Sequence, residues 1–433
     1  MAASKLKIHT LPGQMGLPLD MPREHYDLLH HEQRGVAIYW SAMAQNANKR
    51  WIKLKPGDPR IPDLFRESEN KEDRFISVNE FYGWRYIRLL SSLRANYVDM
   101  DDHENLYEAL DRLADARMPG PSLVVWSGTG MHFYWLLEPL PPKCLPVWQR
   151  IQDKLIATLK PVGADAAAKD CTRLLRIVGT RNKGQEVPAL VLDGHRWSLR
   201  QFAFEVLGRD GQGQKPGQIR DIRTRRKSPD KAIQGSIYAR WHLVYQDLLT
   251  ISAHYGNHIP EGYRDKWLFL IGVALSWFTH AQGIEDEIIG LAHKHTDLAQ
   301  PEIRAAMQPT LQRAMQAAGG HKIEWQGKKF DPRYRFRRQT LFDWLGDLIP
   351  DSLLQKMRAI IPDDEAAKRD KARNRATEGR YATNYTGQGV RASNEEKRAT
   401  ARLLRAQGHT YRAIAAELGF DDKTIRNWCR DED

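Results

Sequence analysis

The chain has 433 residues, 41% of them hydrophobic, which is enough for roughly two to four domains with real cores. A formal net charge of +12 and a pI near 9.5 favour a polyanionic partner, nucleic acid first. Three widely spaced cysteines (Cys144, Cys171, Cys429) exclude a disulfide scaffold and any CxxC zinc pair. The longest apolar run, WLFLIGVALSWF at 267–278, falls short of the ~20 residues of a bilayer span. The N-terminus also lacks the apolar stretch of a secretory signal, so the expectation is a cytoplasmic, nucleoid-associated protein without membrane contact.

Residues 1–207 alternate strand and helix patterns. FISVNEF (75–81) reads as a strand and turn, YIRLLSSL (86–93) as a short amphipathic helix, and NYVDMD (96–101) as a strand. HENLYEALDRLADARM (103–118) places Leu106, Leu110 and Leu113 on one helical stripe. PSLVVWSGTGMHFYWLLE (121–138) reads as two strands joined by the turn SGTG. A helix over 145–159 and a strand over 187–193 complete a β-α-β-β-α-β order, which predicts an α+β domain with helices on one face of an antiparallel sheet.

The stretch 208–235, rich in Gly, Gln and basic residues, reads as a flexible linker. Residues 236–360 read as an all-helical accessory domain, helical throughout, with Trp267, Phe269 and Trp277 as core. Within it, GKKFDPRYRFRRQTLFDWL (327–345) interleaves cations and aromatics, as backbone contact with base stacking requires, or as a solvated basic face. Residues 361–392 are polar and poor in aliphatics, a linker that is either disordered or a frayed helix. Aliphatic periodicity returns over 393–433.

The motif NYVDMDD carries the chemical question. On a strand Asp99 and Asp101 point the same way. At ~6 Å two carboxylates repel by about 3 kcal/mol at an effective dielectric of ~20. Two divalent cations bridged by such a pair would offset that repulsion and hold a nucleoside triphosphate for in-line attack. The competing reading is helix capping, with Asp101 and Glu104 as a capping box. In SGTGMHFYW, the turn around Gly130 offers backbone N–H groups to phosphate, Ser127 a hydroxyl and His132 an imidazole. The competing reading for His132 is a structural histidine. GADAAAKDCTRLLRIVGTRNKG supplies Asp165 or Asp170 as a third acid, with Arg173, Arg176, Arg181 and Lys183 for phosphates or as a solvated basic loop.

VDMD, then SGTGMHFYW, then an acid ahead of RLLRIVGTRNKG resembles the archaeo-eukaryotic type of primase, and more narrowly the primases and primase-polymerases of plasmids, phages and integrated elements. The resemblance spans about residues 70–195. It implies an RRM-like antiparallel catalytic sheet. It also implies two Mg²⁺ or Mn²⁺ ions on Asp99, Asp101 and Asp165 (Asp170 as the alternative). Ser127, Gly130, His132, Arg173, Arg176 and Lys183 would then face the incoming nucleotide. IPEGYRDKWLFLIGVALSW (259–277) resembles the opening of the helical domain that follows the catalytic domain in such primases. The zinc-binding stem of some primases has no cysteine set here.

The C-terminal EEKRATARLLRAQGHTYRAIAAELGFDDKTIRNWCR reads as three helices. Thr410 caps the second, Gly419 makes the turn and Asp421 caps the third; Ile414, Ala415, Leu418, Ile425 and Trp428 face inward. It resembles the helix-turn-helix of resolvases and transposases. Lys423, Thr424, Arg426, Asn427 and Arg430 would then enter a major groove, while the competing reading is a trihelical protein-interaction module.

The function expected is a DNA-dependent primase in mobile-element replication. Its partners would be a single-stranded template, duplex DNA, nucleoside triphosphates and a replicative helicase. The alternatives are a polymerase that only extends primers, and a DNA-binding replication initiator or transcriptional regulator on a catalytically inactive primase fold.

Overall fold

The computed structural model describes residues 17–42, 50–101, 105–207, 237–279, 281–325, 327–384 and 387–430. Residues up to Ile361 form one compact unit and Pro362–Asp433 a second. The linker expected at 208–235 lies outside the described residues.

In chain order, the first half contains β1 (Leu17–Leu19), α1 (Pro22–Leu29), β2 (Ala37–Ser41), β3 (Arg50–Leu54), α2 (Ile61–Ser68), β4 (Arg74–Ser77), β5 (Glu80–Phe81) and β6 (Leu90–Met100). It continues with α3 (Leu106–Asp115), β7 (Leu123–Trp126), β8 (Met131–Leu140), α4 (Leu145–Leu159), β9 (Leu174–Arg176), β10 (Arg181–Asn182), β11 (Gln185–Glu186), β12 (Ala189–Val191) and α5 (Leu199–Leu207). Six strands form one antiparallel sheet in the order β1-β12-β7-β8-β6-β5. Four more form a second antiparallel sheet, β3-β2-β4-β9.

The second sheet is a correction to the single-sheet expectation for this domain. Its strands are short and mostly drawn from residues before the motifs, where alternation over four or five residues is a weak signal. A further correction concerns 86–93. Only Ile87–Leu89 make a 3₁₀ turn, and from Leu90 the chain is extended. Pairing with both β8 and β5 outweighs the helical spacing of Leu89, Leu90 and Leu93. The helix expected at 103–118 is Leu106–Asp115, preceded by Asn105, so Asp101 does not cap it.

Helix α4 covers one face of the large sheet. Asn96 Nδ2 donates to Gln152 Oε1 (2.9 Å), and Trp148 Nε1 donates to the Ala95 carbonyl (2.9 Å). Since side chains alternate, Asp99 points to the face opposite Val98 and Met100, on the side that carries His132. At the other end of β6 the strand bulges between Leu93 and Ala95, and the fully buried Arg94 reaches Glu80, Nε to Oε1 3.3 Å. Glu80 also meets His30 Nδ1 (3.3 Å) and accepts the N–H groups of Arg34 and Gly35 (both 2.9 Å). Burial alone would push this carboxyl up; His30, Arg94 and the Arg34 N–H hold it below its ordinary range.

The rest of this unit comprises α6 (Ile237–His254), α7 (Arg264–Leu275), α8 (Ala281–His295), α9 (Gln300–Ala318), α10 (Arg338–Leu345) and α11 (Asp351–Leu354). A two-stranded ladder, β13 (Ile323–Trp325) and β14 (Lys328–Phe330), interrupts them, which corrects the expectation of helix throughout. Trp267 and Trp277 are buried. The cation–aromatic run at 327–345 is split: Arg333, Leu341 and Leu345 are buried, whereas Lys329, Phe330, Arg335, Arg337 and Arg338 are exposed. Arg333 pairs with Asp331 (2.7 Å) and lies over the Trp277 ring, and Tyr334 stacks on Phe336. Glu287 on α8 is fully buried and accepts the N–H groups of Ile87 (2.9 Å) and Arg88 (3.0 Å), joining the helices to the start of β6.

The second unit contains α12 (Asp363–Asn384), α13 (Gly387–Ala406), α14 (Tyr411–Leu418) and α15 (Asp422–Arg430). Composition leaves disorder or a frayed helix open at 361–392; residues 363–384 are helical. The last three helices enclose a small core of Ala401, Ile414, Ala415, Ile425 and Trp428. Thr410 caps α14, its Oγ1 accepting from Ala413 N, and Asp421 Oδ1 accepts from Thr424 N (2.8 Å).

Glu80→Ala removes the counter-charge of a fully buried guanidinium. We expect a loss of about 3–5 kcal/mol of folding stability, read as a lower urea midpoint with an unchanged slope.

Candidate active site

Three strand ends meet at the site. His132 on β8 is the register partner of Asp99 on β6 and of Val125 on β7. On the other side of β6, residues 163–165 add a short antiparallel pairing. Met100 bridges Ala164, Asp165 N donates to the Asp99 carbonyl (2.8 Å), and Asp101 N donates to the Gly163 carbonyl (3.0 Å). Cross-strand partners share a face, so Asp99, His132 and Asp165 lie side by side, with Asp101 two residues along.

Two glycines allow this. Gly163, at φ +97°, turns the chain from the end of α4 back onto β6. A Cβ at Gly130 would sit 2.2 Å from the Met100 carbonyl oxygen, so only glycine fits where the 127–130 turn closes over the end of β6. Ser127 N donates to the Gly130 carbonyl (2.9 Å), and the Ser127 carbonyl accepts from Asn182 Nδ2, tying the turn to the β10–β11 hairpin.

The acids are electrostatically crowded. Burial first, with Asp165 adding to it, raises the Asp99 carboxyl to about 6 against the pull of Arg173 and Arg176. Asp101 is also raised, by burial and then by Asp165 and Asp99. Burial, Arg176 and Arg173 lower His132 to about 3, so the imidazole is neutral. Its Nε2 lies 3.6 Å from Asp99 Oδ1, beyond hydrogen-bond range, and its buried Nδ1 has no protein partner.

Arg173 and Arg176 flank the acids without ion-pairing to them. Arg173 Nε meets Asp170 Oδ2 (3.1 Å), and Arg176 Nη1 meets Asp73 Oδ1 (3.0 Å). The alternative third acid, Asp170, is not brought to the pair. It is buried, bonded to Arg173 and accepting from Thr172 Oγ1 (2.6 Å), whereas Asp165 is the acid beside Asp99. Lys183 stands exposed at the tip of the β10–β11 hairpin. Sequence reading missed Asn182, which anchors the turn. It also missed Arg85, whose Nη1 donates to the Thr172 carbonyl (3.3 Å) behind Arg173. Neither stands out by spacing, since both act through backbone groups distant in sequence.

Among the described residues no three His, Cys, Asp or Glu side chains converge as a ready metal cage. The donor set nevertheless suits a hard divalent cation: three carboxylates, of which Asp99 and Asp101 are raised by burial and by their acidic neighbours. In the second unit, Lys423, Arg426 and Asn427 are exposed on α15, with Arg430 at the helical i+7 position from Lys423. Thr424 is half-buried on Asp421, and Arg426 pairs with Asp422 (2.7 Å).

No family model matches the chain. It is 25% identical over 268 residues to a replication protein of Clostridium perfringens, covering 59% of this chain and 62% of that one. The chain therefore spans less than two thirds of that relative's length. Among solved structures it is similar to the AEP domain of the cyanophage S-2L primase-polymerase, with 18% identity, a TM-score of 0.33, and coverage of 42% of this chain and 95% of that one. It is also similar to primase RepB′, at 14% identity and a TM-score of 0.27, over 69% of this chain and 94% of that one. No helix among the described residues is long and apolar enough to cross a membrane.

Because the folded state raises the Asp99 pKa, the protonated form stabilises the fold at low pH, and this contribution is lost as pH rises through about 6. Asp99→Asn is expected to raise Tm at pH 8, by an amount equivalent to on the order of 2–3 kcal/mol. The gain should shrink towards zero near pH 4, as thermal melts across that range will show.

Proposed function

We propose that the chain is a DNA-dependent primase that acts in replication of a plasmid, phage or other mobile element. The observation that carries this reading is the shared strand face of Asp99, Asp101, Asp165 and His132, beside two arginines that are not ion-paired to the acids. Asp99, Asp101 and Asp165 would hold two Mg²⁺ or Mn²⁺ ions. Such ions, when bound, activate a 3′-hydroxyl and stabilise the pyrophosphate leaving group.

The neutral His132 would donate one proton to a phosphate oxygen without adding charge of its own. Arg173 and Arg176 would neutralise the triphosphate, Ser127 and the turn at Gly130 would bound it, and Lys183 would meet its outer oxygens. In this reading the six-stranded sheet is an RRM-like catalytic sheet within 1–207, and residues 236–360 are the helical accessory domain. The substrates are nucleoside triphosphates and a single-stranded DNA template, and a replicative helicase is the downstream partner.

The last three helices would form a helix-turn-helix within 393–433, joined through the 361–392 linker. Lys423, Thr424, Arg426, Asn427 and Arg430 would lie in the major groove of an origin duplex. The capped three-helix core with cations on α15 supports this assignment.

Asp99→Ala or Asp101→Ala should abolish primer-free synthesis on circular single-stranded template with Mg²⁺ or Mn²⁺. A loss of several kcal/mol of transition-state stabilisation corresponds to ~10³-fold or more in rate. DNA binding should persist. Full biological function in the alanine variants would make the chain a regulator or initiator, and synthesis only from supplied primers would make it an extending polymerase.

Arg426→Ala should weaken specific duplex binding by about 1–3 kcal/mol where that side chain reads a base, whereas Lys423→Ala at a phosphate should flatten the salt dependence. Mobility-shift titrations at several salt concentrations separate these outcomes.

A further inference from the structure

The second sheet has one face packed and one face built differently. Tyr39 of β2 meets Phe65 of α2, and Phe65 meets Tyr26 of α1, so these helices cover one side. On the opposite side, one residue from each strand falls in a single cross-strand row. Trp51 pairs with Trp40, Trp40 with Phe75, and Phe75 with Arg176. Ring centroids are 6.1 Å apart for Trp51–Trp40 and 5.0 Å for Trp40–Phe75, and the Arg176 guanidinium lies 4.5 Å over Phe75. Trp84 extends the row from Trp51 (5.1 Å), with Arg85 over Trp51 and Lys53 over Trp84. Trp51 is 37% exposed, high for an indole.

Three strand spacings make the row about 14–15 Å long. Its Arg176 end lies within electrostatic reach of Asp99 and His132.

We propose that this row is the platform on which the single-stranded template stacks as it runs to the acids. The inference rests on the polymerising reading of the site and adds where the template lies. The rings follow one another at strand spacing but tilted by 58–64°, so bases would stack on them singly, at the exposed Trp51 first, with Lys53, Arg85 and Arg176 as the cations along the row. Asp73 is bonded to Arg176, and Asp170 and Asp286 lie within electrostatic reach of Arg85, which leaves Lys53 as the cation at the exposed Trp51–Trp84 end of the row.

The test uses the full chain and a fluorescein-labelled oligo-dT, with excess unlabelled random duplex present to occupy the C-terminal helices. Trp51→Ala should weaken oligo-dT binding about tenfold or more, and Trp51→Phe should stay near wild type, because stacking needs an aromatic face rather than an indole. Adding Lys53→Ala should weaken binding further and flatten its salt dependence. In primer synthesis Trp51→Ala should raise the KM for template and leave the KM for nucleotide and the rate at saturating template unchanged.

Unchanged oligo-dT binding in Trp51→Ala overturns the proposal. So does a raised nucleotide KM with template binding intact, which would make the row a nucleobase seat. A wild-type chain that makes no product at all sinks the catalytic reading instead, while the oligo-dT titration still decides whether the row holds single strands.

Discussion

The pairing of residues 163–165 along the end of β6 is the constraint on which the site depends. Three residues of backbone ladder bring an acid from beyond α4 next to Asp99 and Asp101, more than sixty positions earlier in the chain. Without that ladder the DxD pair would be an ordinary strand end, and His132 would face Asp99 alone. The pairing in turn requires α4 to end where it does and Gly163 to turn the chain back. A helix, a left-handed glycine and a strand edge thus act as one device.

Charge in this device is arranged asymmetrically. Burial and like charge push Asp99 towards its protonated form, and the same burial strips His132 of its proton. The nearby guanidinium groups are committed to Asp170 and Asp73, so they lend potential rather than ion pairs to the acids. Such a site has low affinity for protons on its imidazole and a standing demand for positive charge among its carboxylates.

Much of this was legible in the sequence because it was carried by short-range pattern. The strand bearing Asp99, the SGTG turn and the helix at 145–159 follow from alternation, turn residues and helical spacing. The Thr410 and Asp421 caps follow from the preference of hydroxyl and carboxylate side chains for helix starts. Other features were illegible because they depend on partners far along the chain. The strand from Leu90 is extended only because β8 and β5 flank it, and the second sheet assembles from four short segments spread over residues 37–176. The run at 327–345, open in the sequence to base stacking or to a solvated basic face, buries Arg333 over Trp277 and leaves Lys329, Arg335, Arg337 and Arg338 exposed. The aromatic row on the second sheet, invisible as a motif, faces outward at Trp51.

Glu287 has a mechanical consequence. Its buried carboxylate grips two amides just before β6, and the acids stand at the far end of that same strand. The helical half of this unit is therefore anchored, through one buried carboxylate, to the segment that leads into the strand carrying Asp99.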